Sequence, residues 1–374
     1  MSAGASAESG PVRHVYVHVP FCAHRCGYCD FVTVVGHEET HEAYVDALLA
    51  ELGREAALLG EIETVFLGGG TPTLLAPPAL ARLLASLPAA AETTVEANPE
   101  TVTRRLARLL AGSGVSRVSL GAQSFRPQLL ELLERRARPE AVRRAYANLR
   151  DAGLDNISLD LLYGIPGQTE ADLEDDLAAA VELGPDHLSC YELEAKPGTR
   201  FTHAHGAALT GQAELMEGYL ERVVDVLVGA GYRWYETSSF AREGRESRHN
   251  LGYWLGHDYL GIGIGAVSTV GLRRWRNRPG LARYLAALAA GEEPPREVER
   301  LDRATRERER VMLGLRLDGP LELAGLDAPV DPGAVERMAR AGLLEQDGGS
   351  IRLTRRGRLL GGGVTAEILA EIPA

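Results

Sequence analysis

The chain has 374 residues, enough for two or three domains or for one large barrel with an appendage. Hydrophobic residues make up 45% and charged residues 25%, an ordinary globular balance, and four cysteines exclude a disulfide scaffold. A net charge of −12 argues against a chain whose main task is gripping a phosphate backbone, but not against a local basic pocket for a small acidic ligand.

Residues 1–12 have neither a basic start nor an apolar run, so they read as a disordered tail rather than a secretory signal. The expected compartment is the cytoplasm, where thiols stay reduced. No stretch reads as a membrane span; the uncharged run 64–81 carries three glycines and three prolines. From residue 12 to about 193, short apolar runs alternate with helical patterns. Strands are expected at 14–20, 64–69, 93–98, 117–123, 156–163 and 187–193. The clearest helix is 38–59, where Tyr44, Leu48, Leu52 and Ala56 recur every fourth residue beside Val45 and Leu49. This alternation implies βαβ units and a parallel sheet of class α/β. Six strands suggest a partial (β/α)6 barrel; an open doubly wound sheet is the alternative that sequence alone does not separate.

The pattern changes after 205. One long helix is expected over 208–230, then a strand-like run at 232–240, HNLGYW at 249–254 and a glycine-rich run at 259–271. Two prolines and several charges make 291–300 a linker. Helices at 303–317 and 333–342, a hairpin at 343–354 with a Gly-Gly turn and a closing helix outline a small winged-helix-like domain. The expected division is a tail (1–12), the partial barrel (13–205), an α+β extension (206–297) and the C-terminal domain (298–374).

Cys22, Cys26 and Cys29 fall within eight residues, just after the first strand. Parallel α/β folds place their ligand sites at that carboxyl end. Zinc sites usually pair CxxC motifs, and no second pair exists here. Three close thiolates suit a [4Fe–4S] cluster, leaving one iron without a protein ligand and open to a small chelator. Cys190 lies in an expected buried strand and reads as a core residue. The Gly68-Gly69-Gly70-Thr71-Pro72 run after the second strand lets the backbone approach a ligand closely. Glu96, Gln123 and Asp160 stand in or at the ends of strands three to five, where polar side chains are costly unless paired.

The CxxxCxxC spacing, with Tyr28 before the third cysteine, resembles the radical S-adenosylmethionine (SAM) superfamily. The resemblance implies that the open iron binds SAM and that an electron from the reduced cluster cleaves it to a 5′-deoxyadenosyl radical. It further implies that Tyr16, Tyr28, Gly69, Gly70, Thr71, Glu96, Gln123, Arg135 and Asp160 contact SAM. VYVHVPFCAHRCGYCDF, GGGTPT, VEANPE, GAQSF, DLLYGIPGQT, YELEAKPGT and YETSSFA together are similar to the coproporphyrinogen-oxidase-like branch. That branch contains oxygen-independent coproporphyrinogen dehydrogenases, haem chaperones and a class of methyltransferases.

Two features separate these within the resemblance. The dehydrogenases have a further cysteine where this chain has Phe31, and a longer arm before the cysteines. HNLGYW matches the HNxxYW motif of the haem-binding subfamily, which implies haem contacts from His249, Tyr253 and Trp254. A neutral imidazole is a good axial ligand, and the two aromatic rings offer flat apolar surface. Arg242, Arg245 and Arg248 are expected to meet the propionates. Ala137 and Ser239 depart from the pattern, at a position where relatives often carry His and at one where Asn is more usual. The resulting expectation is a haem chaperone that hands haem to haem proteins such as respiratory-chain components and draws on an electron donor. A porphyrinogen dehydrogenase or a methyltransferase of the same branch is the alternative. Nucleic-acid binding through the arginines of 353–360 is not expected. Peripheral membrane contact and a homodimer stay open.

Overall fold

A computed structural model describes residues 10–194, 196–327 and 330–369. The strands are β1 (Val12–Val19), β2 (Phe21–Cys22), β3 (Val34–Val35), β4 (Leu59–Gly69), β5 (Glu92–Ala97), β6 (Arg117–Gln123), β7 (Ile157–Tyr163), β8 (His187–Glu192), β9 (Arg233–Trp234), β10 (Ser239–Ala241), β11 (Tyr259–Ile262), β12 (Val267–Val270), β13 (Arg273–Asn277), β14 (Arg296–Arg300), β15 (Leu321–Glu322), β16 (Leu344–Asp347) and β17 (Ser350–Leu353). The helices are α1 (His41–Arg54), α2 (Pro77–Ser86), α3 (Arg104–Gly112), α4 (Pro127–Leu132), α5 (Pro139–Asp151), α6 (Glu170–Leu183), α7 (Arg200–Gly211), α8 (Ala213–Gly229), α9 (Arg248–Trp254), α10 (Leu281–Ala289), α11 (Arg303–Gly314), α12 (Pro332–Arg340), α13 (Arg355–Leu359) and α14 (Gly361–Ile368). No helix of the described residues is long and apolar enough to cross a membrane.

Six parallel strands run in the order β1-β4-β5-β6-β7-β8 and form the partial barrel. Its edges do not meet. β11 adds in parallel to β1, while β10 adds antiparallel to β8. β12, β13 and β14 extend the β11 edge antiparallel. Two of the crossover helices start at a side-chain cap. Thr169 and Asp172 close a capping box on α6, and Thr103 accepts from the Leu106 N–H at the start of α3. Gly184 ends α6 in the left-handed region. Between strands and helices lies one apolar core, with Val15, Val17, Leu67, Val95, Leu120 and Leu159 among its fully buried members.

The six strands begin and end within a few residues of the expected positions, β4 starting earlier. The long helix expected over 208–230 is two helices, α7 and α8, parted at Gln212 just after Gly211. The run 232–240 splits into β9 and β10. The expected linker 291–300 contains β14, which pairs with β13 from Arg296 to Arg300.

The C-terminal residues have a second core of Val311, Leu315, Leu321, Val335, Leu344, Ile351, Leu353, Val364 and Ile368, under the three-stranded sheet β15-β17-β16. Helix α11 packs against α9 and the loop after it, where Arg306 bonds the Asp258 carboxylate at 3.0 Å. Two arginines of 353–360 are engaged within the chain. Arg355 bonds Asp225 at 2.5 Å, and Arg358 donates to the Trp234 carbonyl with its guanidinium 3.6 Å from that ring's centroid.

Candidate functional site

The three clustered cysteines lie on the loop that leaves β1, at the carboxyl end of the barrel strands. β2 and β3 clamp that loop by pairing Phe21 with Val34 and Cys22 with Val35. All three thiols are free and partly exposed. Burial pushes the Cys22 thiol up to about 11, and it raises Cys29 as well. Both are therefore protonated thiols until a metal displaces the proton. A [4Fe–4S] group would take one thiolate on each of three irons, and the three cysteines of this loop are the donors of that kind it offers.

A run of hydrogen bonds joins Cys22 to Cys26 around this loop. Cys22 Sγ lies 3.7 Å from Thr71 Oγ1, and Asn98 Nδ2 donates to that hydroxyl at 2.8 Å. Asn98 Oδ1 accepts from Arg135 Nη2 at 2.8 Å, and Arg135 Nη1 reaches Cys26 Sγ at 3.8 Å. Arg135 also donates to the Gly121 carbonyl at 2.9 Å. Asn98 was not singled out in the sequence. Its signal was a polar side chain directly after β5, two residues beyond Glu96.

Glu96 Oε2 accepts from the Gly69 N–H at 3.0 Å. Burial, then Asp160, push the Glu96 carboxyl up to about 7, against the Gly69 bond and the Arg117 guanidinium. Ser119 donates to Asp160 at 3.0 Å, and that carboxyl is raised by burial despite Arg117 and the hydroxyls. Arg117 was read only as a strand boundary, yet it is 2% exposed and supplies the positive charge facing both carboxylates. Gln123 ends β6 in the left-handed region at φ 66°, beside a ladder irregularity. Tyr28 packs edge-on against Phe201, and Tyr16 stacks on Phe66 with its hydroxyl 3.1 Å from His18 Nδ1.

His18 was passed over in the sequence. Its Nε2 donates to the Val32 carbonyl at 2.8 Å, so Nδ1 accepts from Tyr16. Its ring fills the space a side chain at Gly69 would take. Gly69 has φ +105°, and a Cβ there would sit 2.3 Å from His18 Cε1. Gly69→Ala should therefore cost about 2–5 kcal/mol from backbone strain and overpacking together. It should also move the Gly69 N–H off Glu96. Urea denaturation checks the cost; a loss below about 1 kcal/mol would refute it.

Burial lowers the His18 imidazole to about 4 and the His249 imidazole to about 3. Because these folded values lie below the unfolded value of about 6.5, each ring adds stability that is complete above pH 6.5. That contribution is lost as pH falls toward the folded value. Nitrogen NMR of histidine-labelled protein should show both rings neutral from pH 8 down to pH 5. Protonation of either ring above pH 6 would contradict the burial argument.

The HNLGYW motif forms α9, which packs into the amino-terminal half of the lumen. Ser247 caps it by accepting from Asn250 N, and Glu92, the first residue of β5, accepts the N–H groups of Arg248 and His249. His249 is 1% exposed, with both ring nitrogens engaged: Nδ1 with Thr64 Oγ1 at 2.7 Å and Nε2 with the Tyr253 hydroxyl at 2.9 Å. Its ring stacks on Phe66. This differs from the expectation of an imidazole offered to iron, because folding spends both nitrogens inside the barrel. Arg242 lies 4.0 Å over the Tyr232 ring and Arg245 pairs with Asp155, so neither stands at a porphyrin face built on α9.

Tyr253 and Trp254 do line a cleft. Tyr253, Trp254, Tyr259, Met312 and Leu313 give it apolar walls, and Arg274, Arg306 and His257 give it polar ones; its volume is about 460 Å³. A second cavity of about 330 Å³ lies on the other side of Tyr253 and Tyr259, bordered by Tyr16, His18 and Phe31. Phe31 is 61% exposed at its rim. Both volumes fall in the range of about 300–1,000 Å³ usual for cofactor sites.

Residues 16–180 match the Radical SAM superfamily, and residues 301–360 match the HemN C-terminal domain. The chain is 38% identical to the heme chaperone HemW of Mycobacterium tuberculosis, over 98% of this chain and 97% of that protein. It is 32% identical to the heme chaperone HemW of Bacillus subtilis, over 96% of this chain and all of that protein. Among solved structures, coproporphyrinogen III oxidase (HemN) from Escherichia coli, a radical SAM enzyme, superposes with a TM-score of 0.80 over 96% of this chain and 89% of that one. At 24% identity that likeness bears on the fold. The full-length matches at more than 30% identity carry the assignment: the chain belongs to the radical SAM family of the heme chaperone HemW.

Proposed function

We propose that this protein is a haem chaperone: it binds haem, carries a [4Fe–4S] cluster and SAM, and hands haem to haem-requiring proteins. The observation that carries this reading is likeness to named haem chaperones along almost the whole chain, at 32–38% identity. Cys22, Cys26 and Cys29 hold the cluster. Tyr16, Tyr28, Gly69, Gly70, Thr71, Glu96, Gln123, Arg135 and Asp160 form the SAM side of the barrel, with Asn98 tying Thr71 to Arg135. When bound, the cluster supplies an electron to SAM; the protein positions both and limits water. Haem lies against Tyr253 and Trp254, and His249 supports that surface from within the lumen through its bond to Tyr253. Phe31 supports a carrier rather than a porphyrinogen oxidase, because it puts an apolar ring where a further thiol would stand.

The test is haem titration of the anaerobically reconstituted full-length protein, followed by mixing with an apo-haem protein. The expected result is a Soret band saturating near one haem per chain, then transfer to the acceptor. Absence of a Soret band, or conversion of coproporphyrinogen III with SAM consumption, would overturn the reading.

A further inference from the structure

We infer that His257, not His249, supplies the axial nitrogen to the iron of a porphyrin bound in the cleft between α9 and α11; this rests on the haem reading above. The cleft brings together residues from four places: Tyr253 and Trp254 on α9, His257 and Tyr259 after it, Arg274 on β13, and Arg306, Glu309, Met312 and Leu313 on α11. Its aromatic and aliphatic walls suit a flat apolar macrocycle, and its two arginines suit carboxylates. Arg274 forks onto Glu309 at 2.8 and 2.7 Å, so a propionate there would compete with that carboxylate. The indole Nε1 of Trp254 has no hydrogen-bond partner among the described residues.

His257 is exposed in this cleft, and one of its nitrogens is fixed. Its Nδ1 lies 3.0 Å from His14 Nε2. Its Nε2 has no protein partner among the described residues. From His14 a relay continues. His14 Nδ1 meets Thr64 Oγ1 at 2.9 Å, Thr64 Oγ1 meets His249 Nδ1 at 2.7 Å, and His249 Nε2 meets the Tyr253 hydroxyl at 2.9 Å. The rings of His14 and His257 stack at 5.2 Å, and Gly252 has no side chain to hold α9 away from His14. Glu63 reaches His14 Nε2 at 3.8 Å from the solvent side.

The proton count along this relay leaves one nitrogen open to a ligand. Each bond needs one donor, and a hydroxyl can donate once and accept twice, so three arrangements satisfy the relay. In the first, His257 Nδ1–H donates to His14, His14 Nδ1–H to Thr64, the Thr64 hydroxyl to His249, and His249 Nε2–H to Tyr253. In the second, Thr64 accepts from both imidazoles and the Tyr253 hydroxyl donates to His249. In both, every imidazole is neutral and His257 Nε2 carries a free lone pair. In the third, every donor of the first reverses and His257 Nε2 holds a proton. An iron in the cleft excludes the third. A ligating histidine commonly donates its other N–H to a buried acceptor, which sets its tautomer and orientation. Here that acceptor is His14, a positioning residue. His249 lies within the relay and cannot reach iron without breaking its bonds to Thr64 and Tyr253.

The test uses the full-length protein and haemin, with ferric haem absorption and electron paramagnetic resonance as readouts. His257→Gly should shift the Soret band, lose the histidine-ligated signature and weaken haem binding at least tenfold; added imidazole should restore the wild-type spectrum. His14→Phe should keep haem bound but alter the ligand-field signature, a change that a merely structural role would not produce. His249→Gln should leave nitrogen ligation in place. A His257→Gly protein with the wild-type spectrum, or a His249→Gln protein that alone loses nitrogen ligation, would overturn the inference and leave the chaperone reading standing. A wild-type protein that binds no haem would overturn both.

Discussion

Cys26→Ala should yield a folded chain that retains almost no iron after anaerobic reconstitution. Three thiolates are the whole cysteine supply of the loop, because Cys190 is buried in β8 and its thiol is pushed far up by burial. Cys26 is also where Arg135 ends, so the substitution removes the proposed ligand and one partner of a buried guanidinium together. That cation keeps Asn98 and the Gly121 carbonyl, which limits the effect on folding. Iron and sulfide per chain, and the broad visible absorbance of the cluster, should fall by at least tenfold. Circular dichroism should not change. Cys190→Ala is the control and should load fully. Iron loading of Cys26→Ala at half the wild-type level or more would exclude this cysteine as a ligand.

Much of the barrel was legible because its signals are local. Alternating apolar runs marked all six strands, and the spacing of Cys22, Cys26 and Cys29 marked the loop at their carboxyl end. What escaped has partners far away in the chain. His249 shares Thr64 with His14 across 185 residues, and no periodicity announces that a ring in an attractive motif is consumed by a distant hydroxyl. His257 looked like one more surface histidine until its bond to His14, 243 positions earlier, tied it to the barrel. Arg242 and Arg245 were read by proximity to the motif, but their side chains turn to Tyr232 and Asp155. The run 291–300 has the composition of a linker. Edge strands tolerate prolines and charges too, and β14 lies at the edge of the sheet beyond β13.

The fold also gives the two cavities a shared wall. Tyr253 and Tyr259 meet edge-to-face at 4.6 Å and border both. Burial raises the Tyr253 phenol well above its ordinary range, with Tyr259 and Glu96 adding to it, so it stays neutral and can accept from His249. A ligand against one face of this pair therefore bears on the residues that line the other.

The second large effect is expected at Glu51, which holds the extension to the barrel. Glu51 sits on α1 and is fully buried, where a lone carboxylate would be prohibitive. Four groups from four segments surround it. Gly263 N donates at 2.9 Å, Tyr284 on α10 at 2.6 Å, Asn277 on β13 at 2.7 Å and Arg296 on β14 at 3.0 Å. Arg296 is itself sealed in, and it also pairs with Glu55 at 2.7 Å and Glu293 at 2.8 Å. Glu51→Ala strips the acceptor from three neutral donors and one buried cation. Breaking a buried pair in this way costs about 3–5 kcal/mol. Because Glu55 and Glu293 still face Arg296, the lower end of that range, about 3 kcal/mol, is expected. Glu51→Gln keeps the shape and one acceptor oxygen, so it should cost less. The loss should appear in urea denaturation followed by tryptophan fluorescence, since Trp275 lies 5.4 Å from the Arg296 guanidinium. It should reach the cofactor side as well. Gly263 and Ile264 start the turn whose next residues, Gly265, Ala266 and Val267, line the cavity beside Phe31, and Ile264 N is held by Tyr44 on the same helix as Glu51. Faster amide exchange at 263–267 in Glu51→Ala should therefore accompany the lost stability. A variant less than about 1 kcal/mol weaker than wild type would show that the remaining carboxylates carry Arg296 unaided.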